Sequence, residues 1–195
     1  MTAFGRLGAW FASRDVFDYQ PDMIVCAKGI TSGYIPLGAT LISDEIYDVI
    51  SKPQCEGGVF SMGLTYFGHP VACAAALENI AIIEREDMLA NAAVSGAYLQ
   101  TAAKALSTLE IVGDVRGHGL MLGVDLVSGR AKKTPMAISE NAAEKIFKGC
   151  VDRGVIVRPV GSRIVVSPPL IISPAECDTI VAAMHGAISD FIATL

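Results

Sequence analysis

Met23-Ile24-Val25-Cys26-Ala27-Lys28-Gly29-Ile30-Thr31-Ser32-Gly33-Tyr34-Ile35-Pro36-Leu37-Gly38-Ala39 is the stretch on which the reading of this chain turns. Met23–Cys26 is a short apolar run with the character of a buried strand. It ends at Ala27-Lys28-Gly29 and enters the glycine-containing turn Gly29-Ile30-Thr31-Ser32-Gly33. Leu37–Ile42 reads as a second strand. A lysine at the mouth of a buried strand is desolvated, which lowers its pKa and makes the amine a usable nucleophile or base. The competing reading of Lys28 is a side chain that snorkels from the strand end into water.

Outward from this stretch the chain alternates strands and helices. Asp44–Ile50 reads as a short helix with acidic residues in its first turn, where the helix dipole favours them. His69-Pro70 opens a long helix reaching about Glu86, because proline at a first helical position lacks only an N–H that had no partner there. A second helix follows from Met88 to about Leu106. Ile111–Arg116 and Leu120–Val127 read as strands, Ser139–Arg153 as a helix, and Val155–Val157 and Arg163–Ser167 as strands. Pro174–Thr194 closes the chain as a helix whose start carries Ser173 as N-cap and Glu176 to complete S-x-x-E. Gly129–Pro135 reads as an exposed loop. The order gives an α/β fold, with a domain boundary near Glu86–Leu89 and hence domains of residues 1–88 and 89–195.

Composition agrees with an α/β enzyme. Of 195 residues, 52% are hydrophobic and 18% charged, which excludes a disordered chain. Nineteen glycines amount to about 10%, above the usual ~7%, as tight turns require. Fifteen basic against twenty acidic residues give a net charge of −5, and no basic run suits a nucleic acid. The mean hydropathy of +0.47 raises the question of a membrane. Yet Val71–Ile83 is broken by Glu78 and Asn79, and Ile164–Ile172 by Ser167 and two prolines, so neither reaches the ~20 apolar residues of a span. No apolar h-region follows Met1, and Cys26, Cys55, Cys73, Cys150 and Cys177 form no C-x-x-C pair. Free thiols in a cytoplasmic protein are therefore expected. His69, His118 and His185 are too dispersed for a local zinc motif.

Two further residues are candidates for binding. Thr65, in Gly63-Leu64-Thr65-Tyr66-Phe67-Gly68-His69-Pro70, offers a hydroxyl and nearby amides before a helix N-terminus, a setting that suits phosphate; taken alone, it reads first as an ordinary loop residue or cap. Arg158, in Val155-Ile156-Val157-Arg158-Pro159, terminates a strand and could grip a carboxylate with its fork or serve a structural salt bridge. Arg116 and His118, in Arg116-Gly117-His118-Gly119, read as structural residues of a turn between strands. Asp22, after Pro21, reads as a turn residue.

In order along the chain, these pieces resemble the class-III pyridoxal-phosphate aminotransferases. The resemblance is carried by Phe4-Gly5-Arg6-Leu7-Gly8-Ala9-Trp10-Phe11-Ala12, Pro21-Asp22, Ala27–Ala39, Thr65–Ala72, Arg116-Gly117-His118-Gly119-Leu120-Met121 and Val157-Arg158-Pro159. It runs from about residue 3 to the C-terminus and is nearest the ω-amino acid:pyruvate branch. It implies a fold-type I transferase, here the end of the large three-layer domain plus the small C-terminal α/β domain. It implies that Lys28 forms the Schiff base with pyridoxal 5'-phosphate and then moves the substrate proton. Thr65 would bind the cofactor phosphate from the neighbouring subunit of a homodimer, and Arg158 the carboxylate of the acceptor keto acid. Phe67 departs from the small residue common at its position and would reshape the pocket rim.

The same resemblance implies a glycine-rich phosphate contact, a ring-stacking aromatic and an acidic partner for the pyridinium, all ahead of Phe4. Met1–Phe4 reads as entry in mid-domain, so these residues alone are expected to be inactive. The implied reaction passes an amino group from an ω-amino acid or amine to pyruvate. The alternatives are a same-fold aminomutase or decarboxylase, or an inactive truncated chain acting as a scaffold.

Overall fold

The computed structural model describes residues 3–53, 55–129, 134–137 and 141–195. Contacts divide the chain into two units, one of Met1–Phe4 with Phe11–Asp87 and one of Gly5–Trp10 with Met88–Leu195. The break between Asp87 and Met88 falls where two long helices meet. The assignment of Gly5–Trp10 to the second unit has no sequence signal.

The first unit is built on one antiparallel strand pair. Helix α1 (Arg14–Phe17) precedes β1 (Met23–Ala27), which pairs with β2 (Gly38–Ile42) so that Ala27 faces Gly38 and Met23 faces Ile42. Between the strands, Lys28–Thr31 winds into a single 3-10 turn. Helix α2 (Asp44–Ile50) starts at Ser43, whose hydroxyl accepts from the Ile46 amide at 3.4 Å. Helix α3 (Pro70–Arg85) begins at the proline expected to open it, and the His69 imidazole caps it by accepting from the Ala72 amide at 3.4 Å. The strand reading of β1 holds, but not its burial. Cys26 is buried while Met23 and Val25 are 59% and 71% exposed, because β2 is the one strand paired with it among the described residues.

The second unit closes its own core. Helix α4 (Met88–Ala103) continues as a 3-10 turn, Lys104–Thr108, and leads to β3 (Val112–His118) and β4 (Met121–Gly129). The short β5 (Thr134–Pro135) pairs with β4, so part of the expected Gly129–Pro135 loop is sheet; residues 130–133 lie outside the described residues. Helix α5 (Ala142–Val151), the hairpin β6 (Arg158–Val160) and β7 (Arg163–Val166), and helix α6 (Pro174–Ile192) complete it. The antiparallel order is β3-β4-β7-β6. Alternate residues Leu122, Val124, Leu126, Ile164 and Val166 lie in one buried cluster with Leu99, Ile146, Cys150, Met184 and Ile188 of the helices. Both halves of the Ser173–Glu176 capping box are present at the start of α6.

Two expected boundaries move. Helix α5 starts at Ala142 rather than Ser139, and residues 138–140 lie outside the described ones. Val155–Val157 is not a strand: it is an extended lead-in held by the Val155 amide on the Cys150 carbonyl, and pairing with β7 begins only at Arg158. Arg158 therefore opens a strand instead of ending one.

Close backbone approach explains the glycines of this unit. A Cβ on Gly96 of α4 would stand 2.5 Å from the Gly119 carbonyl carbon, and one on Gly119 would stand 2.5 Å from the Arg6 carbonyl oxygen. That oxygen accepts from the Leu120 amide at 2.8 Å. Gly5–Trp10 is thereby laced onto the β3–β4 turn with no space for side chains between.

Candidate active site

Lys28 sits at φ +58°, in the left-handed region that non-glycine residues avoid at a cost of about 1 kcal/mol. Its surroundings hold it there. The Gly33 amide donates to the Lys28 carbonyl at 3.2 Å and the Tyr34 amide to the Thr31 carbonyl at 3.0 Å. Thr31, 1% exposed, donates its hydroxyl to the Ile35 carbonyl at 2.7 Å. From α3, the Asn79 amide donates to the carbonyls of Gly29 and Ile30 at 3.0 and 3.1 Å, while its oxygen accepts from the Ser32 hydroxyl at 2.7 Å. Gly29 is required by Phe4: a Cβ there would lie 2.9 Å from the Phe4 Cβ, and Phe4 is in turn fixed edge-on to Phe11 at 5.9 Å.

The turn is thus clamped from two sides, and the Lys28 side chain is exposed at its mouth. Exposure departs from the expected desolvation, since β1 itself is not buried. Asn79, Thr31 and Phe4 are the supporting residues that sequence reasoning missed. Asn79 stood out there only as a break in an apolar helix.

Thr65 is exposed in the turn Leu64–Phe67, which is closed by the Phe67 amide on the Leu64 carbonyl at 3.0 Å. Gly68 at φ +62° and the His69 cap carry the chain from that turn into α3. The Tyr66 and His69 rings lie 6.1 Å apart. Thr65 belongs to the same unit as Lys28, whereas Arg158, exposed at the start of β6, belongs to the other.

Arg116 lies within β3 rather than in the expected turn, and its ion pairs fit a structural role. Its Nη1 contacts Asp114 at 2.6 Å and Asp125 at 2.5 Å, and these carboxylates push its pKa up. The thiols are poor nucleophile candidates. Burial pushes Cys150 up to about 11 and raises Cys177 as well, so neither is ionised near neutrality. All five cysteines are free. Among the described residues no cluster of His, Cys, Asp or Glu could hold a metal ion, and no helix is long and apolar enough to cross a membrane.

The first unit thus presents a strained, exposed lysine on a clamped turn and an exposed threonine ahead of a long helix. Comparison with known proteins gives this constellation its family. The model of the aminotransferase class-III family matches residues 1–188. The chain belongs to the class-III aminotransferases. It is 37% identical over 188 residues to a probable γ-aminobutyrate transaminase 3, mitochondrial, of Oryza sativa subsp. indica, covering 96% of this chain and 37% of that protein. It is 39% identical over 180 residues to a putrescine–pyruvate aminotransferase of Pseudomonas aeruginosa, covering 91% of this chain and 38% of that protein.

Among solved structures, an (S)-enantioselective ω-transaminase from Thermomicrobium roseum superposes with a TM-score of 0.90 at 44% identity, covering 98% of this chain and 42% of that one. Class-III aminotransferases are pyridoxal-phosphate enzymes of fold-type I. The chain spans a little over a third of the length of the curated relatives it matches.

Proposed function

We propose that the protein to which these residues belong transfers an amino group from an ω-amino acid or amine to pyruvate or a similar keto acid. The observation that carries this reading is Lys28, kept in left-handed backbone by Asn79 and Thr31 with its amine exposed. Strain maintained by a dedicated hydrogen-bond network is spent where a side chain must be aimed. The donor set fits pyridoxal phosphate: a primary amine for the aldehyde, and the Thr65 hydroxyl for the phosphate. When bound, the cofactor acts as the electron sink for the substrate carbon.

This chain's own residues do the rest in that reading. Lys28 Nζ holds the cofactor between turnovers and, once freed by the amino substrate, carries the proton at the substrate carbon. Thr65 Oγ1 anchors the phosphate, in the neighbouring subunit of a homodimer. Arg158 receives the keto-acid carboxylate. Residues 1–88 belong to the large cofactor-binding domain and 89–195 to the small domain. The exposed Tyr34, Val59 and Tyr66 of the first unit, 91%, 78% and 79% exposed, support an assembly in which that unit is covered. The free thiols support a reducing compartment such as the cytoplasm; the rice relative is named mitochondrial.

The choice of pyruvate draws on the putrescine–pyruvate relative. Loss of amine should depend on added keto acid and yield the matching amino acid in equal amount. Isomerisation of the amino acid, or release of carbon dioxide without an acceptor, would replace transamination by an aminomutase or decarboxylase.

A further inference from the structure

The face of the second unit's sheet turned away from its buried cluster carries an unusual set of charges. Pairing places Arg158 opposite Val165, Val165 opposite Gly123 and Gly123 opposite Arg116. One row along, Val160 faces Arg163, Arg163 faces Asp125 and Asp125 faces Asp114. Alternate strand residues share a face, so Arg158, Arg163 and Arg116 stand on one surface with Asp125 and Asp114. Arg163 is diagonal to Arg158, about 7–8 Å away along the backbone.

The carboxylates are unevenly shared. Asp125 binds Arg163 Nε through Oδ1 and Arg116 Nη1 through Oδ2, the latter at 2.5 Å. Arg116 holds Asp114 as a second partner at 2.6 Å. Arg158 forms no ion pair among the described residues. Partial burial alone would raise the Asp125 carboxyl, yet hydrogen bonds from Arg163 and Arg116 together outweigh it and hold the group below the usual carboxylate range. Asp125 is therefore ionised at neutral pH, where it holds both guanidinium groups.

We propose that Asp125 sets the acceptor selectivity of this face: by pairing with Arg163 it leaves Arg158 as the one guanidinium of this face without a carboxylate partner among the described residues, which denies a dicarboxylate keto acid the second, unpaired guanidinium that would let it bind better than a monocarboxylate. The proposal rests on the reading of Arg158 as the carboxylate receptor. Freed from Asp125, Arg163 would offer a second fork one residue pair away, matched to a second carboxylate. Asp114 cannot substitute for it, since Asp114 is engaged by Arg116 on the far strand.

Titration of the chain with pyruvate and with 2-oxoglutarate, followed through the guanidinium Nε–H resonances of Arg158 and Arg163, tests this. In the parent the two anions are expected to bind within twofold of each other and to move the Arg158 signal. Asp125→Asn should tighten 2-oxoglutarate binding three- to fivefold, bring the Arg163 signal into the response and leave pyruvate within twofold. Asp125→Asn with Arg163→Gln should return to parental behaviour, and Asp125→Glu should keep the pairing with Arg163. Asp114→Asn removes the same charge from the same face without freeing Arg163, and should give no gain.

An equal gain with Asp114→Asn, or one that survives Arg163→Gln, would overturn the proposal in favour of a general charge effect. A different failure belongs to the underlying reading: if Arg158→Gln leaves pyruvate binding unchanged, Arg158 is not the receptor, whatever Arg163 does.

Discussion

Val25 and Ile164 are both aliphatic residues in the middle of strands, yet the first is 71% exposed and the second 0%. The contrast holds for the units that contain them. The second unit wraps a four-strand path with three helices and buries its own apolar face. The first leaves apolar strands, loops and tyrosines in the open, yet it carries Lys28 and Thr65. The candidate cofactor residues therefore sit in the less buried of the two units. Precision in the first unit comes from local hydrogen bonds around one turn, whereas in the second it comes from a closed core.

That contrast makes graded predictions. Ile164→Ala should cost about 2–5 kcal/mol in denaturant unfolding, as for any fully buried aliphatic truncation, while Val25→Ala should stay within about 0.5 kcal/mol. Equal losses would erase the distinction. Gly96→Ala comes next. Its Cβ would meet the Gly119 backbone at 2.5 Å, where nothing flexible can give way, so overpacking of about 1–3 kcal/mol is expected in the same assay.

Asn79→Ala should have a smaller and local effect. It removes donors to the Gly29 and Ile30 carbonyls, a loss of about 1–2 kcal/mol. The sign of it should be faster hydrogen exchange at the Gly33 and Tyr34 amides, with β3, β4 and β7 untouched. Acceleration throughout the chain would mean that the two units do not differ in this way.

The smallest expected effect is acid sensitivity. The folded Asp125 carboxyl lies below its unfolded value of about 3.9. Its contribution is therefore fully present above that value and is lost as pH falls through the folded one. With both arginine partners about half exposed, it should be worth about 0.2–1 kcal/mol. The stability difference between the parent and Asp125→Asn should then be constant from pH 5 to 8 and shrink below about pH 4.

What could be read in the sequence follows the same division. Pro70 and the Ser173–Glu176 pair announce helix starts because their signals are local. Lys28, Thr65 and Arg158 stand out in the sequence as candidates through the ordered motifs around them. Burial of β1 was misread, since apolar composition cannot say whether a partner covers a strand. The sequence places Arg158 at the end of a strand because Val155–Val157 is β-prone. Its true place depends on the register with β7, which is decided by the Gly161–Ser162 turn and by residues 163–166.

Asn79 and the Asp125–Arg163 pair were invisible for one reason: their partners lie 47 to 50 and 38 residues away. Only the folded chain brings them together.

Everything proposed for the first unit depends on Lys28 being the cofactor lysine. Reductive trapping tests it most directly: incubation with pyridoxal phosphate, reduction with borohydride and peptide mapping. A phosphopyridoxyl label is expected on the peptide holding Lys28, lost in Lys28→Ala while Lys52 and Lys104 remain unlabelled. A label distributed over the surface lysines, or one that survives Lys28→Ala, would contradict it.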